Sequence, residues 1–245
     1  MALQNSPLTT ASAFIIENIL QIPRLARLIR LYLNSPDDPI VLAETTHLVQ
    51  KLYQSDCNQS ISQIIEEAAP IVPTRSLENI RLIPQSYHFK SSQTFKLVFR
   101  YYSFRILLYG LIQHIDGPIS IHEKFNASAM KIRGVQAAHS ITMCADYALN
   151  SNLNHTTLAL HMIIPLHLAF GAWHRFGKTT GFSAEDYERA HHMKEWCFGL
   201  LNQMNSIWKI PFQSIKYLER EADALGGRQT PIMKQRMDPL NILTS

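Results

Sequence analysis

Two apolar segments joined by a short polar turn, between Val135 and Phe176, constrain the fold of this chain more than any other feature. Residues 135–149 carry apolar or small side chains at helical spacing, and residues 158–173 are apolar on almost every side. A helix that is apolar all round must be buried, so the second segment is predicted to lie at the centre of the fold. Residues 92–114, rich in phenylalanine, tyrosine and leucine, are predicted to form the other central helix.

The rest of the chain is also patterned for helices. Further helices are predicted at residues 10–20, 23–33, 39–54, 58–69, 183–205 and 211–225. Three prolines indicate a region of mostly loop at residues 70–91. Strand-like alternation is nearly absent, so the sequence predicts an all-α protein. We expect one compact multi-helix domain over residues 1–227, built around two central apolar helices, and a mobile polar tail at residues 228–245.

The distribution of charges and cysteines argues against several classes of function. The 23 lysines and arginines are scattered along the chain, so direct nucleic-acid binding is not predicted. The 3 cysteines are far apart in sequence, which argues against a disulfide framework or a Cys-x-x-Cys metal site and fits a reducing compartment. The N-terminus does not resemble a signal peptide, and the longest apolar run is shorter than the ~20 residues of a membrane span. We therefore expect an intracellular protein that does not bind a membrane.

Three arginines form the predicted partner-binding site. Arg24, Arg27 and Arg30 fall on one side of the helix predicted from Pro23, opposite an apolar stripe. A basic amphipathic helix can bind an acidic partner or a membrane surface. Such a pattern is more often a solvated face over a core stripe.

Two further arginines and a tryptophan are the predicted ligand-binding residues. Arg100 and Arg105 lie within the aromatic helix, where charged side chains are unusual. One interpretation lays their stems along apolar surface while the guanidinium groups reach solvent or a carboxylate. The other places one of them in a polar cavity that holds an anionic ligand, near Arg100 and Trp173.

The sequence contains no established catalytic motif. Glu-x-x-His occurs twice, at Glu44 to His47 and at Glu188 to His191. A di-iron centre in a helix bundle also needs a glutamate from each of two further helices, and neither central helix contains one. No catalytic residue, metal ligand or cofactor is therefore predicted. These four residues leave a metal-dependent helical enzyme, or a biosynthetic helper, as the alternative function.

Several segments carry a resemblance to a known family. They are residues 99–108, 137–141, 144–149 and 165–174. Together with the helices around them, from about residue 37 to 225, they resemble the C-terminal regulatory region of fungal zinc-cluster transcription factors, particularly those encoded beside secondary-metabolite genes. The DNA-binding module of that family holds two zinc ions with six closely spaced cysteines. The three scattered cysteines of this chain depart from that pattern.

The resemblance implies a nuclear regulator of transcription that is not an enzyme; a cytoplasmic location is the alternative. Without the cysteines of a zinc cluster, such a domain reaches DNA through a partner, which would be a DNA-binding transcription factor or a coregulator protein. The resemblance also implies that the domain can receive a small-molecule effector. It does not indicate whether expression rises or falls.

Overall fold

The computed structural model describes residues 6–75, 82–115, 127–150, 155–179, 181–211 and 213–225. The elements in chain order are α1 (Pro7–Asn34), α2 (Pro39–Asp56), α3 (Gln59–Ala68), β1 (Ile71–Pro73), β2 (Gln85–Tyr87), α4 (Ser92–Ile112), α5 (Ala127–Asn150), α6 (His155–Gly177), α7 (Ala184–Trp208) and α8 (Ile215–Leu225). The prediction of an all-α fold is confirmed. The predicted tail at residues 228–245 lies outside the described residues.

Helix starts follow the capping chemistry of the sequence. The carboxylate of Asp38 accepts hydrogen bonds from the backbone N–H groups of Ile40, at 2.9 Å, and Val41, at 3.3 Å. Pro39 occupies the first position of α2, where its missing N–H costs nothing. Ser91 caps α4 together with Thr94 in a capping box. Each such cap contributes about 1 kcal/mol, so the bounds of these helices are set locally.

α1 is one continuous helix, whereas the sequence predicted two helices separated before Pro23. Pro23 lies inside α1, where its ring removes one backbone hydrogen bond. The buried positions nevertheless continue through it at helical spacing, as at Ile15, Ile22 and Leu25. This stripe packs against α2, α3 and α4. The prediction of a break was wrong because tertiary packing of the stripe outweighs the local cost of the proline.

Residues 70–91, predicted as mostly loop, contain a short antiparallel strand pair. β1 and β2 align Ile71 with Tyr87 and Pro73 with Gln85. β2 packs against α5, where the hydroxyl of Ser86 donates a hydrogen bond to the carboxylate of Asp146 at 3.3 Å. The strand pair therefore closes one side of the helical core.

α4 and α6 lie at the centre, as predicted from their apolar character. α6 packs against α4, α5, α7 and α8, and α4 packs against α1, α2, α3, α5 and α6. Two groups of buried apolar side chains result. The large core joins the first half of α1 with α3, β2, α4, α5, α6, α7 and α8, and the small core joins the second half of α1, α2, the second half of α4 and Met130 of α5. α1, α4 and α5 contribute to both cores, and α4 contributes several buried side chains to each.

Candidate functional site

A mostly apolar cleft opens between α1, α4 and α6, and we call it the arginine cleft. Its solvent-accessible cavity volume is about 70 Å³. Its lining includes Ile22, Ala26 and Arg30 of α1, Leu107 of α4, and Leu168 and Arg175 of α6. The three α1 residues are spaced i, i+4 and i+8, and the two α6 residues are seven apart. Helical periodicity therefore turns each set toward the same space.

Arg175 carries its guanidinium into a slot between two helical glycines. A β carbon at Gly110 of α4 would lie 3.1 Å from Nη2, and one at Gly171 of α6 would lie 3.2 Å from Nη1. Both distances are shorter than ordinary contacts, so an alanine at either position would press on the guanidinium. Nη1 donates a hydrogen bond to the backbone carbonyl of Ala222 in α8 at 3.3 Å. The two glycines thus create the room in which the charged group is held.

The charge of Arg175 is poorly compensated. Burial lowers its pKa to about 10, against the opposing effect of Asp223. At neutral pH the group therefore remains protonated. Among the residues that the structure describes, no carboxylate comes within ion-pair distance of it, and Asp223 is bound by Lys178 at 2.9 Å and His174 at 3.2 Å. A partly buried cation without its own anion is unfavourable, so the guanidinium is a candidate binding site for an anion.

The three predicted partner-binding arginines diverge on the surface of α1. Arg30 lines the arginine cleft and is exposed. Arg24 lines a shallow cleft between α1 and α2, where its nearest guanidinium nitrogen lies 3.9 Å from the carboxylate of Glu44. Arg27 is exposed and lines none of the clefts described here. Arg24 and Arg27 remain available on the outer surface, whereas Arg30 also belongs to the cleft.

Arg105 is bound by the protein itself. Its Nε lies 2.9 Å from a carboxylate oxygen of Asp56 in α2. Its guanidinium also lies 5.3 Å from the ring centre of Tyr101 and 5.6 Å from that of Tyr109. The hydroxyl of Tyr109 donates a hydrogen bond to Asp56. Of the two interpretations offered by the sequence, the structure shows the one in which the guanidinium reaches a carboxylate.

Arg100 and Trp173 have different surroundings, and neither shares a described cleft with Arg105. Arg100 is half-buried on α4. Burial lowers the pKa of His161, and the positive charges of Lys96 and Arg100 lower it further. Trp173 lines a polar cleft between α6, α7 and α8. Its indole nitrogen is buried without a hydrogen-bond partner in the described part of the chain. The described clefts do not bring the three predicted ligand-binding residues together.

The residues of the alternative metal site also lie in different places. Glu44 and His47 line the shallow cleft between α1 and α2, whereas His191 lines the polar cleft between α6, α7 and α8. Glu188 is exposed on α7. Over the described ranges, no group of three or more histidine, cysteine, aspartate or glutamate side chains could hold a metal ion. These ranges also contain no helix long and apolar enough to cross a membrane.

Comparison of the chain with protein-family models, with curated proteins and with solved structures found no match. The geometry of the clefts is therefore the basis for a functional proposal.

Proposed function

We propose that this protein is a non-enzymatic regulator of transcription that binds an effector in the arginine cleft and reaches promoters through a DNA-binding partner. The observation that supports it most directly is the poorly compensated guanidinium of Arg175 inside an apolar cleft. The transcriptional part rests on the resemblance of α4, α5 and α6 to the regulatory region of fungal zinc-cluster factors. The setting that this resemblance suggests is the nucleus and a secondary-metabolite gene cluster.

α1 provides a route from effector to partner. One face of α1 forms a wall of the cleft through Ile22, Ala26 and Arg30. Arg24 and Arg27 are exposed on the same helix and suit an acidic surface on a transcription factor or coregulator. An effector that contacts α1 from inside would favour one position of the helix, and with it one presentation of these arginines. Because such coupling is reciprocal, partner binding would also tighten effector binding.

The test is chromatin occupancy of the tagged chain in its native host, with transcript levels in a deletion strain as the second measurement. The informative variant combines Arg24→Glu and Arg27→Glu, which reverses the outer basic surface of α1. The matched control combines Arg189→Glu and Arg220→Glu, two exposed arginines on α7 and α8. We expect the wild type and the control to be enriched at a gene cluster, and the α1 variant to lose that enrichment.

Two results would overturn the proposal. One is the absence of enrichment together with unchanged transcripts in the deletion strain. An altered metabolite profile in that strain would then favour the biosynthetic helper. The other is enrichment that the α1 variant and the control retain equally, which would remove α1 as the partner surface.

A further inference from the structure

We propose that the arginine cleft binds a monocarboxylate with an apolar body, of the kind represented by a medium-chain fatty acid, with its carboxylate on Arg175 and its chain against α1 and α4. This assignment rests on the proposed function of the cleft as an effector site and names the chemical class of the effector. Three features of the cleft lead to it: the state of the two cations, the walls, and the space around the guanidinium.

The two arginines of the cleft, Arg30 and Arg175, favour an anionic ligand. The guanidinium of Arg175 makes one hydrogen bond to a backbone carbonyl, so several of its N–H donors are free among the described residues. Arg30 is exposed at the cleft and has no ion pair within the described part of the chain. A planar guanidinium binds a carboxylate through two parallel hydrogen bonds. Both guanidiniums line the same cleft, so a carboxylate there can pair with Arg175 and is also attracted by Arg30.

The residues that line the cleft favour a ligand with an apolar chain. Apart from the two arginines, the lining consists of aliphatic side chains and a glycine, among them Ile22, Leu107 and Leu168. Such a lining cannot hydrogen-bond the hydroxyl groups of a sugar or the amides of a peptide. Burying those groups there without partners would cost affinity. An alkyl or aryl chain has no hydrogen bonds to lose, and its transfer from water to apolar contact is favourable.

The surroundings of the guanidinium leave the arginine cleft as the side from which a ligand can reach it. A second, much smaller cavity of about 10 Å³ touches Arg175 from the side of α5, next to Gly110 and Gly134. This cavity has room for no more than one water molecule, so it offers no second ligand site. Gly110 lies between the two cavities and lines both. A side chain there would remove the space that the charged group uses.

The experiment is calorimetric titration of the purified full-length chain with three ligands of equal length: octanoate, octanol and octylammonium. We expect octanoate to bind and octanol to bind roughly tenfold more weakly, because octanol lacks the charge-assisted hydrogen bonds. Octylammonium should not bind, since two arginines repel it. Equal binding of octanoate and octanol, or no binding of octanoate, would overturn the proposal.

Variants locate the site. Arg175→Met replaces the cation by an apolar group of similar length, which buried sites often tolerate. We expect it to remove the preference for octanoate over octanol. Ala26→Leu fills the cleft and should weaken both ligands. Arg30→Ala should weaken octanoate a fewfold, and its matched control, Arg189→Ala at an exposed arginine of α7, should leave binding unchanged.

Circular dichroism checks the fold of each variant. If Arg175→Met does not fold, the pair Ala26→Leu and Arg30→Ala decides the location. Octanoate affinity that neither change lowers would overturn the assignment, as would a folded Arg175→Met that keeps its preference for octanoate.

The ligand assignment and the regulatory function fail separately. Promoter enrichment without octanoate binding would leave the regulator and remove this ligand class. Octanoate binding that depends on Arg175, without enrichment or transcript changes, would leave the ligand class and remove the regulatory function.

Discussion

Asp56 and Arg105 form the best-buried ion pair in the described part of the chain. The side chain of Asp56 is 1% exposed, and that of Arg105 is 28% exposed. Replacing Asp56 by alanine removes the anion and leaves the guanidinium and the Tyr109 hydroxyl without their acceptor. Breaking a buried pair in this way costs about 3 kcal/mol. We expect Asp56→Ala to lower the free energy of unfolding by about that amount, measured by urea denaturation.

Glu44→Ala is the control for this change. Glu44 faces Arg24 at 3.9 Å, with both side chains more than half exposed. Exposed pairs of this kind contribute little, so we expect less than about 0.5 kcal/mol. Equal losses for Asp56→Ala and Glu44→Ala would contradict a structural role for the buried pair and return Arg105 to the set of free ligand-binding cations.

The three cysteines differ in reactivity. Cys57 is exposed, whereas Cys144 and Cys197 are buried and free of disulfide bonds. Burial raises the pKa of both buried thiols, so the reactive thiolate form is scarce at neutral pH. We expect one rapid equivalent of modification by a thiol reagent at pH 8 in the folded protein and three in urea. Cys57→Ser should remove the rapid equivalent; rapid modification that survives this change would contradict the burial of the other two.

At the scale of elements, α8 is held against α6 and α7 by charges. Lys178 lies 2.9 Å from Asp223, Lys194 lies 2.9 Å from Glu219, and His174 lies 3.2 Å from Asp223. The hydrogen bond from Lys194 lowers the pKa of Glu219. The pKa of Asp223 is also lowered, because the hydrogen bond from Lys178 and the nearby cations outweigh burial. Burial lowers the pKa of His174 below 6.5.

The lowered pKa values of His174, Glu219 and Asp223 all change the stability of the fold with pH in the same direction. Each group has a lower pKa in the folded than in the unfolded protein, so the unfolded state binds more protons as the pH falls. The contribution of His174 is complete above its unfolded pKa of about 6.5 and declines below it, whereas that of Glu219 declines below about 4.5 and that of Asp223 below about 4. We expect the free energy of unfolding to fall between pH 7 and 5 and to fall more steeply in stronger acid. His174→Gln should flatten the profile between pH 7 and 5, and an unchanged profile in that range would contradict this assignment.

Element types were largely predictable from the sequence, but two features were not. Apolar periodicity and caps such as Asp38 are local signals, and they indicated most of the helices. The continuity of α1 through Pro23 depends on packing against α2, α3 and α4, which no local pattern records. The strands at Ile71 and Tyr87 are three residues long and need each other and α5, so alternation could not reveal them.

The candidate site was less predictable than the fold. Arg100 and Arg105 were singled out because charge within an apolar helix is unusual, and Trp173 because a ligand cavity was predicted near it and Arg100. The structure uses Arg105 for an internal ion pair instead. Arg175, which defines the cleft, stands in the last turn of α6, where a cation commonly complements the helix dipole. The guanidinium of Arg175 lies against Gly110 of α4, and sequence spacing alone does not reveal a contact between two helices.

For the whole molecule, the decisive question is whether the two cores unfold together. α4 contributes buried side chains to both, and Ile19 and Leu107 pack against both. The small core could not remain buried if α4 separated from the large core. The three tryptophans all lie in the C-terminal half of the chain, and Trp173 is buried in the large core. Tryptophan fluorescence therefore reports on the large core, whereas far-ultraviolet circular dichroism reports on all helices.

We expect the two signals to follow one urea transition with the same midpoint and slope, since sharing α4 makes the cores interdependent. Leu107→Ala, which thins the contact between the cores, should shift both curves together by about 2 kcal/mol or less, because Leu107 is only partly buried. Ile210→Ala, at a partly exposed side chain outside both cores, is the control and should leave both curves nearly unchanged. A circular dichroism curve with an earlier step that fluorescence does not follow would contradict this prediction. If Leu107→Ala then shifted that step without shifting the fluorescence curve, the step would be assigned to the helices of the small core. In that case the wall of the arginine cleft could open without loss of the large core, and effector binding would stabilise that step selectively.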